Sequence, residues 1–172
     1  MIHLYTGDGK GKTTAAVGLA VRARGHGRRV LFVQFLKGGP TGELAGLGAL
    51  GVEVLRATAE HGFWWTLDAD EKRQVVAEHD ALLRRVLDAC RGDSPPDMLV
   101  LDEFTYVYTQ GMADADLCRE VLARVQAQGV ETVLTGRDAG AELTALADYV
   151  SDVHAVRHPF AQGVAARAGV EY

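Results

Sequence analysis

TGDGKGKTT, residues 6–14, separates the apolar run IHLY at 2–5 from TTAAVGLAVRARG at 13–25, a helical pattern that ends at its own glycine. The segment fits the phosphate-binding pattern G-x-x-x-x-G-K-[ST], with Thr6 in place of the first glycine, and it has the strand-loop-helix setting the pattern requires. Gly7, Gly9 and Gly11 let the backbone bend until its N–H groups converge on anionic oxygens, and the helix that follows presents its positive end. Lys12 is expected to reach phosphate oxygens and Thr13 to ligate Mg²⁺ through its hydroxyl, while Lys10 adds a second positive charge. Asp8 is out of place among phosphate donors, so it is expected to point outward at the loop tip or toward the metal.

Outward from this loop, short β-branched or apolar runs recur. They are RVLFVQF at 29–35, VEVLR at 52–56, DMLVL at 97–101, VETVLT at 130–135 and a weaker YVSDVHAV at 149–156. Helical patterns fill the gaps at 68–90, about 115–128 and 141–148. The first of these opens on a capping box, Asp68 and Glu71, and carries Val75, Val76, Leu82, Leu83, Val86 and Leu87 on one side. Strands alternating with helices predict an α/β fold of the P-loop NTPase kind, an open, mostly parallel sheet with helices on both faces. In such a sheet the loops after the strands share the carboxyl edge, so TGDGKGKTT, QFLKG, HGFWWT, LDEFTY and TGR are expected to line one crevice.

Composition narrows the function classes. With 172 residues, 48% of them apolar, the chain is large enough to bury its own core as a single domain over 1–172. A net charge of −5 argues against sequence-independent nucleic-acid binding, which needs a surplus of Lys and Arg. The one basic run, VRARGHGRR at 21–29, falls where the first helix should end, in favourable alignment with the helix dipole. Cys90 and Cys118 lack metal-site spacing and suit a reducing compartment, and SPPD at 94–97 is an ordinary turn. MIHLYT has neither a charged leader nor a long apolar stretch, so no membrane span and a cytoplasmic location are expected.

Two further loops carry chemistry. LDEF at 101–104 ends an apolar strand with two carboxylates where a phosphate-loop protein needs an acid for magnesium; Glu103 or Asp102 would serve, and strand alternation would send them to opposite faces. TGR at 135–137 offers Arg137 as a further phosphate or ribose contact. Phosphate loops serve kinases, hydrolases and switches alike. The aromatic HGFWWT at 61–66 either folds into the core or walls a large planar second substrate, and composition does not choose between the two.

TGDGKGKTTAA, RARGHG, QFLKG, Gly42-Glu43, GFWW, LDEFTY, TGR, LADYVSD and the closing RHPFAQGVAARAGVEY, in this order over the whole chain, resemble the ATP:corrinoid adenosyltransferases of adenosylcobalamin synthesis. Members usually carry Asn where Asp8 stands, share the Thr at the loop start, and often have a polar stretch before the first strand. The resemblance implies that a corrinoid Co(I) attacks the 5′ carbon of ATP and expels triphosphate, with the nucleotide reversed relative to ordinary ATPases. It implies that Gly7 to Thr14 (Gly7, Asp8, Gly9, Lys10, Gly11, Lys12, Thr13 and Thr14) hold the triphosphate and that Thr13 with Glu103 holds Mg²⁺.

By the same resemblance, Phe63 and Trp65 press on the corrin's axial face, exclude axial ligands and make Co(I) accessible, with Lys12 the principal catalytic cation. Trp64 replaces a small polar residue of that pattern. The six histidines are taken as structural or solvated, since an axial imidazole would oppose the chemistry. An electron-donating flavoprotein and a homodimer are further implications. A conventional Mg·ATP-dependent hydrolase or small-molecule kinase is the main alternative, and a nucleotide-responsive binding module a second.

Overall fold

Six parallel strands form one open sheet in the order β3-β2-β4-β5-β1-β6. They are β1 (Ile2–Thr6), β2 (Val30–Gln34), β3 (Glu53–Arg56), β4 (Met98–Asp102), β5 (Glu131–Thr135) and β6 (Tyr149–Asp152). The structure is a computed structural model that describes residues 1–57 and 61–171; Tyr172, the last residue of the closing sequence tag, lies outside them. All six predicted strands are present, the sixth four residues long, and every pairing is parallel.

Helices cover both faces because the central strands are apolar on both sides. Along β2 and β4, Leu31, Val33, Leu99 and Leu101 point to one core layer, and Val30, Phe32, Met98 and Val100 to the other. The second layer receives α1 (Lys12–Gly25) through Ala16, Ala20 and Ala23, and α2 (Glu43–Ala49) through Leu47. Small side chains on α1 let it lie close to the sheet, and its basic last turn is put to use: Arg24 donates to the carbonyls of Arg28 and Leu50.

The first layer receives α3 (Ala69–Arg91), α4 (Phe104–Thr109), α5 (Ala115–Ala127) and α6 (Gly140–Leu146). The capping box of α3 forms as predicted. Asp68 Oδ1 accepts from the N–H groups of Asp70 and Glu71 at 2.8 and 2.9 Å, and Glu71 Oε2 accepts from Asp68 N–H at 2.8 Å, a cap contributing about 1 kcal/mol. Leu82, Leu83, Val86 and Leu87 are buried below it, each contributing roughly 2 kcal/mol.

Two helices carry no sequence signal. GELAGLGA reads as a glycine-rich loop yet forms α2, and FTYVYT, with β-branched and aromatic residues, forms α4. Tertiary packing of Leu47, Phe104 and Val107, all buried, outweighs local propensity in both.

Candidate functional site

The phosphate loop closes on itself around Lys12. Its ammonium donates to the carbonyls of Gly7 and Gly9, both at 2.7 Å. Burial, with Arg137 nearby, pulls this ammonium below the ordinary lysine range. Gly11, at φ 125°, starts α1 in a conformation that suits only glycine. The glycines at 7 and 9 have a further reason. A side chain on Gly7 would collide with Asp152 and Val153, and a Cβ on Gly9 would lie 2.8 Å from His154 C and Val153 O.

The segment after β6 therefore straps the loop. Gly9 N–H donates to Val153 O at 2.7 Å and is not among the donors free to converge on an anion, in contrast to the sequence expectation for that glycine. Asp8 faces outward as expected: its carboxylate accepts from Ala155 N–H at 3.1 Å, the contact that chiefly lowers its pKa, and His154 lies 3.6 Å away.

Asp102, at the end of β4, is fully buried and joins three loops. Its Oδ1 accepts from Thr13 at 2.8 Å and from Thr135 at 2.7 Å, and its Oδ2 lies 2.7 Å from Lys37 Nζ. Glu103 is not a strand residue on the opposite face, as alternation predicted. β4 stops at Asp102, and Glu103 turns into the left-handed region at φ 64° to lead α4. Thr135 pins the turn by accepting from Glu103 N–H at 3.0 Å. Such a conformation costs a non-glycine residue about 1 kcal/mol or more and aims the carboxylate along the sheet's carboxyl edge.

Burial, reinforced by the like charge of Asp102, raises the Glu103 pKa, although Lys37, Lys12 and Arg137 partly offset this. Such a carboxylate favours a cation. Thr13 and Glu103 fit Mg²⁺, which takes one or two protein oxygens and completes its shell with water and phosphate. Among the described residues no cluster of three or more His, Cys, Asp or Glu suits a metal.

Instead of one crevice, the edge holds two adjoining cavities. The first, about 610 Å³, is polar: Lys10, Lys12, Thr13, Thr14 and Arg137 line it, and His158 and Gly169–Glu171 form a wall on the C-terminal side. The second, about 480 Å³, is mostly apolar and is lined by Leu36, Phe63, Trp64, Trp65, Val75 and Met112, among others. Both volumes are typical of small-molecule sites. Lys37 and Glu103 line both cavities and form the border between them.

The aromatic segment divides its labour. Phe63 and Trp65 are 69% and 75% exposed and stack on each other with centroids 4.9 Å apart and planes 8° from parallel. Trp64 turns the other way, packs on the core and carries the Lys72 ammonium 5.3 Å from its ring centroid. The short 3₁₀ turn at Trp64–Thr66, closed by Thr66 hydrogen bonds to Phe63 O, produces this split. The exposed, stacked pair lines the apolar cavity and is not part of the core.

The sequence alone assigns Lys37 of QFLKG no role, and of Asp102 and Glu103 it predicts only that one reaches the metal while the other supports it or pairs elsewhere; Asp102 is the one paired elsewhere. The position of LKG directly after a strand at the carboxyl edge was the available signal. His79 is one of the histidines expected to be structural or solvated: it is buried beside the apolar cavity, its Nδ1 lies 2.8 Å from Met112 O, and burial lowers its pKa.

Known proteins of similar sequence show the family of the chain. A corrinoid adenosyltransferase of Escherichia coli (strain K12) is 39% identical over 176 residues, spanning 100% of this chain and 85% of the relative. The corrinoid adenosyltransferase CobA of Salmonella typhimurium is 41% identical over 180 residues with the same coverage, and one from Pseudomonas aeruginosa is 34% identical over 175 residues, 100% of this chain and 83% of that protein. The family model for ATP:corrinoid adenosyltransferase BtuR/CobO/CobP matches residues 1–172. This chain belongs to the ATP:corrinoid adenosyltransferase family.

Proposed function

We propose that this chain, acting as one domain over 1–172, transfers the 5′-deoxyadenosyl group of ATP to the Co(I) centre of a corrinoid and releases triphosphate. The carrying observation is the shared border: a polar phosphate cradle and an apolar aromatic cavity meet at Lys37 and Glu103. A hydrolase, whose nucleophile is water, needs no such second cavity, whereas attack on the ribose carbon by a corrinoid needs a large apolar partner held against the nucleotide.

In this assignment Gly7, Asp8, Gly9, Lys10, Gly11, Lys12, Thr13 and Thr14 form the loop around the triphosphate, and Arg137 contacts phosphate or ribose from the opposite side. Thr13 and Glu103 hold Mg²⁺, which when bound neutralises phosphate charge. Asp102 orients Thr13 by accepting a hydrogen bond from its hydroxyl. Phe63 and Trp65 cover the corrin's axial face and keep water and axial bases off the metal, which makes the Co(I) substrate accessible. Lys12 leaves the Gly7 and Gly9 carbonyls for phosphate oxygens. No general base is required, because the nucleophile is an electron-rich metal; positioning and charge neutralisation carry the catalysis.

Among the described residues no helix is long and apolar enough to cross a membrane. A cytoplasmic location, a homodimer and an electron-donating flavoprotein complete the proposal. The deciding experiment is an anaerobic assay with ATP, Mg²⁺ and reduced cobalamin, reading the light-sensitive alkylcobalt spectrum together with triphosphate. Release of phosphate or ADP without corrinoid would instead favour a conventional hydrolase or kinase.

A further inference from the structure

We infer that Lys37 is a catalytic residue of this reaction, the cation that meets negative charge on the departing phosphate ester. The inference rests on the adenosyl-transfer reading above. In that reaction the metal's electron pair forms the Co–C5′ bond, the C5′–O5′ bond breaks with its pair kept by oxygen, and no proton is transferred. The α-phosphoryl end of the leaving group gains one negative charge. Because the metal and C5′ must touch, this bond lies where the two cavities meet.

Lys37 and Glu103 are the border side chains, and Glu103 has the wrong sign. Among the described residues, Lys37 is the one cation that lines both cavities; Lys10, Lys12 and Arg137 line the polar cavity alone.

The protein holds Lys37 in place from both ends. Leu36 precedes it at φ 61°, and the Arg56 guanidinium donates to Lys37 O at 2.6 and 3.2 Å and also to Gly39 O. At the other end Nζ lies 2.7 Å from Asp102 Oδ2, while Glu43 Oε1 is 3.7 Å away, beyond hydrogen-bond distance. An ammonium has three donors. Asp102 occupies one, and the side chain remains 26% exposed, so donors are left for a phosphate oxygen. Burial opposes its charge, but Asp102 and Glu43 more than compensate, and Lys37 stays protonated at neutral pH.

The test compares wild type, Lys37→Met and Lys37→Arg in anaerobic single turnovers with pre-reduced cobalamin. Two nucleotides are used: ATP, and the ATP analogue with sulfur in the bridging 5′ position, whose leaving atom needs less neutralisation. Enzyme-free rates are subtracted. With ATP, Lys37→Met should lower the transfer rate about 100-fold or more, the usual effect of removing one such donor, with Mg·ATP affinity within about threefold of wild type. Lys37→Arg, which keeps the charge and the Asp102 pair, should lose about tenfold.

Both defects should shrink at least severalfold with the sulfur analogue. Equal defects on the two nucleotides, or a wild-type rate in Lys37→Met, would overturn the assignment; equal defects with weakened Mg·ATP binding would show that Lys37 only supports Asp102 and Thr13. If Lys37→Met does not fold, the same contrast is read from Lys37→Arg. Absence of transfer in the wild-type protein itself would sink the adenosyl-transfer reading, and this assignment with it.

Discussion

The Thr13 hydroxyl donates to Asp102 Oδ1 at 2.8 Å, so the carboxylate ending β4 is committed to orienting the phosphate loop rather than to direct capture of a metal. Asp102→Ala should leave Lys37 without its nearest partner and two threonine hydroxyls without an acceptor. Removing one member of such a buried pair costs roughly 3 kcal/mol. Denaturant unfolding should show that loss, and calorimetry should show Mg·ATP affinity at least about tenfold weaker.

Glu103 predicts a pH dependence. Its folded pKa lies above the ordinary carboxyl value of 4.5, first because it is buried and second because Asp102 is beside it. The folded state therefore binds the proton more readily than the unfolded one, and the ligand-free protein loses stability as pH rises from that ordinary value through the raised one. A bound cation opposes the loss, so the thermal shift produced by Mg·ATP should grow with pH across that window. Glu103→Gln should abolish the trend and raise the ligand-free Tm by about 2–4 °C per kcal/mol of relieved repulsion. Scanning fluorimetry across pH, with and without Mg·ATP, checks both.

In the proposed reaction the aromatic segment would separate stability from activity within three residues. Phe63→Ala and Trp65→Ala should change unfolding free energy by no more than about 0.5 kcal/mol, since both rings are largely exposed. Turnover should fall sharply when the assay starts from Co(II) with a mild electron donor, and much less when Co(I) is supplied chemically. Trp64→Ala should destabilise by roughly 2 kcal/mol through lost packing. Equal behaviour of the three variants in both measurements would contradict the division of labour.

Gly9→Ala tests the strap. The new Cβ would press on Val153 O and His154 C and threaten the 2.7 Å bond from Gly9 N–H. A destabilisation of about 1–3 kcal/mol is expected from the overpacking, with a parallel loss of nucleotide affinity because the loop and the strap must move together. Hydrogen exchange at Gly9, slow in the native protein and fast in the variant, locates the effect.

Much of this molecule was legible in its residues because the signals were local. IHLY followed by glycines and Lys12-Thr13 marked strand, loop and helix start in one stretch, and Asp68 with Glu71 marked the head of α3. What stayed hidden depended on distance in sequence. Asp102 meets Lys37 across 65 residues and Thr13 across 89, and Gly9 meets Val153 only after β6 has been laid beside β1. Glu103 misled alternation because a left-handed turn ends the strand one residue earlier, where Thr135 from β5 accepts its N–H.

Lys12 clasps the carbonyls of Gly7 and Gly9, and in the proposed reaction it would exchange them for phosphate oxygens. In that proposal nucleotide capture would be an exchange of partners rather than a net creation of them, made by a cradle that is already arranged. Triphosphate would then leave the more readily after each cycle, because the lysine has its carbonyl partners to return to.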